Sequence, residues 1–292
     1  MVETRTFYTL AMELEELITQ RDPLELVYHS TVIPPEHREE VATMFHSHFG
    51  RSLNAQIQEQ LPPSSTRSLL INFWMDPLTL RLRLFERSIK DNDPWELIHC
   101  VMTTPKDMFL EICDAFNTQT QRSLYSAIRN FCIGSDPWRV LLRSWIIHDT
   151  RSVANVTYLV SRIREAVAVH NTELLVETLT SATPEGWNNA CEQYERVYGE
   201  TVEESIRKLY KDVDLFAILF GHYMLTNEDS AIAMLLRDAI SIQSSDMMAV
   251  ATALYSSGWC NAVLLYPEFS DDLDENYSKT FAEAVKRTWG LI

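Results

Sequence analysis

Three stretches of the sequence repeat one another: Pro-Pro-Glu-His-Arg from Pro34, Thr-Pro-Lys-Asp-Met from Thr104, and Thr-Pro-Glu-Gly-Trp from Thr183. Each reads as a proline-containing helix start, where the backbone has no helical partner to lose and a Thr or acidic side chain can accept from free amides. An aromatic follows in each copy, Phe45, Phe116 and Tyr194. A second helix then opens on Gly50-Arg51-Ser52-Leu53, Gln121-Arg122-Ser123-Leu124 and Gly199-Glu200-Thr201-Val202, with Ile57, Ile128 and Ile206 four positions later. The copies are offset by 70 to 79 residues, and residues 229–292 leave room for a fourth, more diverged one. Repetition at this period means stacked supersecondary units that bury their apolar faces against one another. The chain is therefore read as one domain of four repeats, over about 1–77, 78–149, 150–227 and 228–292.

Within the repeats the apolar spacing is helical. Val41, Met44, Phe45 and Phe49 follow the three-and-four rule, as do Phe109, Ile112, Cys113 and Phe116, and then Trp187, Ala190, Cys191, Tyr194 and Tyr198. Val202, Ile206, Leu209 and Val213 keep the same period, with Glu203, Glu204, Arg207 and Lys208 on the opposite side. Alternating strand patterns are hard to find, so the expected fold class is all-α.

Composition then removes whole classes of function. Only seven glycines occur in 292 residues, and neither a dinucleotide-binding nor a nucleotide-triphosphate loop is present. With 41 acidic against 25 basic residues and a formal charge of -16, the average surface repels phosphate backbones, which argues against nucleic acid. An anionic membrane becomes a partner only through a bridging divalent cation or a locally basic face. The five cysteines, Cys100, Cys113, Cys132, Cys191 and Cys260, are odd in number and widely spaced, which reads as buried thiols in a reducing compartment. Met1 to Leu17 carries acids where a signal peptide needs basic and then apolar residues, and the apolar run Leu215 to Leu225 is too short to span a bilayer. A soluble intracellular protein is the expectation.

Enzymatic constellations are missing from the pattern. His46 and His48 point to different sides of a helix, so with His37 they make a poor zinc set. No nucleophile elbow occurs, and paired acids such as Glu39-Glu40 and Glu203-Glu204 face water on amphipathic helices. The acids Asp271, Asp272, Asp274 and Glu275 lack the glycine a calcium loop needs for its turn and read as a solvated face. Of the seven tryptophans, Trp95 and Trp138 stand out because each follows an Asp-Pro pair at a helix start. They are read as lipid or partner contacts, or as staples on their own helices.

A period near 70 with a Thr-Pro-acid helix start, an Ile and aromatic stripe, and Gly-Arg-Ser-Leu opening a further helix resembles the annexin repeat. The Thr-Pro-Glu-Gly-Trp segment at Thr183, the short fourth repeat and the closing Lys286-Arg287-Thr288-Trp289 look most like the alpha-giardins, annexin-like proteins of a flagellated protozoan. This resemblance implies an annexin-like fold of four repeats of about five helices in a curved disc. It further implies non-enzymatic, calcium-dependent binding of anionic phospholipid at the plasma membrane, and association with microtubules of flagella and adhesive disc. Against the family's Gly-x-Gly-Thr calcium loop and distant acid, the loop glycines of the second repeat fall on Ser88 and Lys90, and the acid on Phe131. The third repeat places Val169 and His170 in the loop and Leu209 at the acid. The first has Ile18 to Arg21 and Gln60, with Glu59 beside it. Loss of glycine and of the carboxylate weakens such sites. Calcium, where it binds at all, is then held weakly by Asp91 and Asp93 around Asn92, or by Glu59, although Asp93 before Pro94 is equally an ordinary N-cap. Arg81, Arg83, Arg87 and Lys90 form a basic patch, with Arg87 and Lys90 as candidate lipid contacts. The alternative is a calcium-independent helical scaffold that binds cytoskeletal proteins such as microtubules or self-associates.

Overall fold

The computed structural model describes residues 6–147, 152–256 and 261–292; Cys260, Trp259 and the first five residues of the chain lie outside the described residues. Among the described residues there are twenty α-helices, and the one extended pairing is an isolated parallel bridge between Val153 and Ala182. The first five helices are α1 (Phe7–Gln20), α2 (Pro23–Thr31), α3 (Pro35–Phe49), α4 (Leu53–Gln60) and α5 (Ser65–Phe73). Then come α6 (Pro77–Asp91), α7 (Pro94–Thr103), α8 (Lys106–Thr120), α9 (Leu124–Phe131) and α10 (Pro137–Trp145). The third set is α11 (Val156–Val169), α12 (Thr172–Ser181), α13 (Pro184–Tyr198), α14 (Val202–Leu209) and α15 (Asp212–Thr226). The last is α16 (Glu228–Ser241), α17 (Ser245–Tyr255), the four-residue α18 (Asn261–Leu264), α19 (Phe269–Asn276) and α20 (Lys279–Thr288). No helix of the described residues is long and apolar enough to cross a membrane.

Local chemistry explains why the chain breaks at these points. Ser52, Ser123 and Thr201 cap α4, α9 and α14, each accepting from the amide three residues on, and Thr201 and Glu204 close a reciprocal capping box. Gly50, Gln121 and Gly199 take left-handed conformations just before these caps and end α3, α8 and α13. The three proline-containing starts differ in detail from the expectation. Thr183 caps α13 by accepting from Gly186 N at 3.0 Å, but the N-cap positions of α3 and α8 are Pro34 and Pro105, which have no side chain able to cap. Thr104 instead donates to Cys100 O at 2.5 Å and accepts from Arg81. Its hydroxyl is spent on the helix before it.

The described chain divides into two compact units, Met1–Leu80 with Ile232–Ile292, and Arg81–Ala231, a division that the repeat pattern alone does not draw. In the first unit α2 packs on α20, α5 on α17, and α1 on α3. Phe45, Ile57 and Phe281 are fully buried, and Trp74 and Trp289 donate indole N–H bonds to Ser30 and Thr252 at 2.8 and 3.1 Å. In the second unit α11 packs on α12 and α13, and α15 on α7 and α10, around Trp187, Tyr194 and Phe220. The Trp187 indole donates to Nδ1 of His222 at 3.2 Å, so this buried imidazole is neutral and carries its proton on Nε2; burial lowers its pKa to about 4. Between α10 and α11 the chain lies across the start of α13: Ser152 and Val153 N both donate to Ser181 O, and Thr183 N donates to Val153 O, each at 3.0 Å.

Candidate functional site

Each set of five helices carries two connections of interest, one between its first and second helices and one between its fourth and fifth. The first connection turns the same way every time. Arg21, Asn92, His170 and Gln243 have φ of 59, 56, 54 and 53°, and each is followed at once by a capping residue, Asp22, Asp93, Asn171 or Ser244. Glycine would take this left-handed conformation freely, whereas each of these residues pays about 1 kcal/mol and sets a side chain on the turn. The sequence register of the second repeat is corrected here: Ser88 and Lys90 lie inside α6, and Ser88 is buried, so the turn itself is at Asn92. Val169 closes α11 and His170 lies at the turn, whereas of the expected first loop, Ile18 to Arg21, only Arg21 is at the turn, Ile18 to Gln20 lying inside α1 with Ile18 fully buried.

The second connection is held by donors from the protein itself. In the first repeat Arg67 Nη1 donates to the carbonyls of Leu61 at 3.0 Å and Gln58 at 3.3 Å. In the second, Arg139 Nη1 donates to Phe131 O at 3.0 Å and Ile133 O at 2.7 Å. Arg143 Nη1 donates to Gly134 O at 2.8 Å and also to Cys132 O. The third and fourth repeats use a tyrosine directly after the fourth helix. Tyr210 shares a hydroxyl hydrogen bond with Thr172 at 3.2 Å, and Tyr277 donates to Ala239 O at 2.7 Å, so each fastens its connection to residues at or beside the first turn of the same repeat. Phe131, Leu209 and Gln60 are the last residues of their helices. Carboxylates that the sequence reading passed over stand a few residues later. Asp136 pairs with Arg139 (Nε to Oδ2 2.6 Å), Asp214 accepts from Trp138 N at 3.1 Å, and Asp212 is exposed.

The residues singled out from sequence are placed as follows. Asp93 Oδ1 accepts from Trp95 N and Glu96 N at 3.0 and 3.1 Å, which makes it the N-cap of α7, while Asp91 is exposed at the end of α6. Glu59 is exposed and lies 3.5 Å from Arg51. Arg87 grips the Glu96 carboxylate with two nitrogens, and Arg81 is buried against Thr103 and Thr104. The basic patch is thereby reduced, since both guanidiniums are engaged internally, whereas Arg83 and Lys90 are exposed. Trp138 is only 5% exposed, its ring against Phe131 and Arg139, so it belongs to the core rather than to a contact surface. Trp95 is half-buried with its ring 4.6 Å from that of Phe216. What the connections do expose is aliphatic: Ile133 is 70% exposed, Val169 66% and Ile242 63%.

Elsewhere, Asp272 accepts from Tyr266 and Asp274 pairs with Lys286, both at 2.5 Å. His37 and His48 pack on Phe7 and Tyr8, and no group of three His, Cys, Asp or Glu among the described residues is arranged to hold a metal. Cys100 and Cys132 are buried, and burial pushes the thiols of Cys113 and Cys132 up to about 11 and that of Cys191 to about 12.

No family model matches the sequence. Among curated proteins, it is 22% identical to giardin subunit alpha-4 of Giardia intestinalis over 78% of this chain and 77% of that one. It is 20% identical to giardin subunit alpha-1 of the same organism, over 96% and 97%. The fold superposes on calcium-bound alpha-1 giardin with a TM-score of 0.90 at 18% identity, covering 99% of this chain and all of that one. It superposes on annexin III with a TM-score of 0.77 at 12% identity, covering 99% and 95%. The likeness in sequence to the alpha-giardins runs over nearly the full length of the chain, and the fold, all-α with twenty helices among the described residues, is the annexin fold.

Proposed function

We propose that this protein is a peripheral membrane and cytoskeleton-associated adaptor in which calcium has lost most of its control. The family binds calcium and phospholipid, and calcium-bound structures exist for its relatives alpha-1, alpha-11 and alpha-14 giardin. The observation that carries the reading is that the connections between fourth and fifth helices are already tied by Arg67, Arg139, Arg143, Tyr210 and Tyr277. A calcium ion needs free oxygens in number, six to eight of them at about 2.3–2.6 Å. Here several of the carbonyls in reach accept from protein donors instead, and the turns opposite them bear side chains where glycine would leave room.

Membrane contact then falls to side chains. Ile133, Val169 and Ile242 sit at the connections with their aliphatic groups in water, each offering on the order of 1 kcal/mol or more on burial in acyl chains. Asp91, Asp93 and Glu59 remain the candidates for weak calcium contact, and Lys90 and Trp95 for headgroup or partner contact. Cosedimentation with anionic vesicles tests the reading. Equal pelleting in calcium and in chelator is expected, and pelleting that requires calcium would refute it. The second reading, a scaffold for microtubules or for a second copy of this chain, is favoured if the protein ignores vesicles in both conditions and pellets with polymerised tubulin.

A further inference from the structure

We infer that the connection between α9 and α10 is a cation cradle whose resident cations are two of the protein's own guanidinium groups. Four successive carbonyls, those of Phe131, Cys132, Ile133 and Gly134, all accept from arginine. Arg139 takes the first and third, and Arg143 the second and fourth, each through a single Nη1 that bridges two oxygens. The Asp136 carboxylate supplies the negative charge, 2.6 Å from Arg139 Nε. Carbonyls from consecutive residues converging with one carboxylate are the kind of oxygen set a hard cation takes. In this chain the positive charge is delivered covalently from one and two turns into α10.

The sequence arranges this with three local devices. Gly134 has a φ of 133°, a region closed to most side chains, which lets the chain reverse so that consecutive carbonyls face the same way. A Cβ at this residue would come within 3.1 Å of Arg139 Cδ, so glycine also makes room for the guanidinium stem. Arg139 and Arg143 are four apart on α10 and hence on one face of it. The Arg139 guanidinium also lies over the Trp138 ring, 4.6 Å from its centroid, and that ring is fixed in the core. Planar, weakly hydrated guanidinium suits this role in a way a lysine ammonium does not: while Nη1 of Arg139 bridges two carbonyls, its Nε faces Asp136 and its plane lies over Trp138, and a single ammonium nitrogen cannot reach all three at once. The first repeat shows a sparer form of the same device, with Arg67 bridging Gln58 and Leu61.

The consequence is that this connection is ordered without calcium, and that an incoming ion must expel two arginines to bind. The inference deepens the function proposed above by naming how calcium control is lost, but it is read without lipid and stands or falls separately. The test is hydrogen–deuterium exchange followed by peptide mass spectrometry on the full chain, in chelator and in millimolar calcium. In the wild type, the segment from Phe131 to Val140 is expected to exchange at the same rate in both. Slowing of that segment by calcium would overturn the inference, and this comparison needs no variant. In Arg139→Gln/Arg143→Gln, the segment is expected to exchange at least about tenfold faster in chelator, with α11 to α13 unchanged as the internal control for folding. Unchanged exchange of the segment in a folded double variant would also overturn it. Should the double variant fail to fold, Arg143→Gln alone gives the same readout with Arg139 left in place.

Discussion

Substituting Gly186 with alanine sets two physical effects against each other, and the structure decides the sign. Gly186 is the third residue of α13, where alanine is the better helix former by about 1 kcal/mol. Helix propensity alone therefore predicts a more stable protein. A Cβ at Gly186, however, would lie 2.9 Å from Ala154 Cα, 2.9 Å from Val153 O and 2.9 Å from Thr183 Oγ1. Two of these are backbone atoms in a segment pinned by three hydrogen bonds of 3.0 Å to Ser181 and Thr183, so the clash cannot be relieved by a rotamer change. The third is the cap of the helix itself, which accepts from Gly186 N. Moving the crossing segment away sacrifices the Val153–Ala182 bridge, and rotating Thr183 sacrifices the cap, each worth about 1 kcal/mol. With overpacking strain of about 1–3 kcal/mol added, the net is a loss of about 2 kcal/mol after the propensity gain. Urea unfolding followed by circular dichroism reads this as a lower midpoint at unchanged slope. Gly221→Ala is the contrast. There the nearest atom, at 2.9 Å, is the flexible Met102 Cε, and a smaller loss is expected. A Gly186→Ala protein as stable as the wild type, or more so, would refute the packing of residues 152–154 on α13.

Two buried ionisable groups give the stability profile opposite slopes. Burial raises the Asp238 carboxyl to about 6, and its Oδ2 has no hydrogen-bond partner, so the folded state disfavours the ionised form. Its contribution is therefore most favourable below the unfolded value near 4 and is lost as pH rises through 6. Asp238→Asn should gain about 1–2 kcal/mol at pH 7 and little at pH 4, read from urea midpoints at the two pH values. Burial lowers His222 to about 4, so its contribution is intact above the unfolded value near 6.5 and is lost as pH falls toward 4. His222→Gln, which keeps an acceptor for Trp187, should flatten that acid limb; an unchanged limb would show that His222 does not cause it.

Much of the frame could be read from the chain because it is written in local signals. Proline, Ser, Thr and glycine at helix ends, together with Ile57, Ile128 and Ile206 fixed by burial, recur at a period that survives divergence. The fourth copy was harder to see because its third helix is only Asn261–Leu264 among the described residues, and Leu273 takes the isoleucine's place as the acceptor of the capping amide. The candidate site was less legible. Its register rested on glycines that the chain has replaced, and Arg21, Asn92, His170 and Gln243 give no common side-chain signature for their shared φ. The second connection was missed for a different reason. Arg139 and Arg143 look like the solvated face of an amphipathic helix until the reversal at Gly134 shows that four carbonyls point at them. A legible hint lay in Tyr210 and Tyr277, each directly after the fourth helix of its repeat. For Trp138 an Asp-Pro-Trp start looks like an exposed loop, whereas its backbone N–H is bound by Asp214 from 76 residues away and its ring is buried against Phe131 and Arg139.

The most direct test of a fold kept while its ion sites are closed from within is a crystal structure grown in millimolar calcium, with anomalous diffraction recorded for the ion. The account predicts no calcium peak among the carbonyls of residues 131–134, with Arg139 and Arg143 still bonded to them. A peak there with both arginines swung into solvent would contradict it.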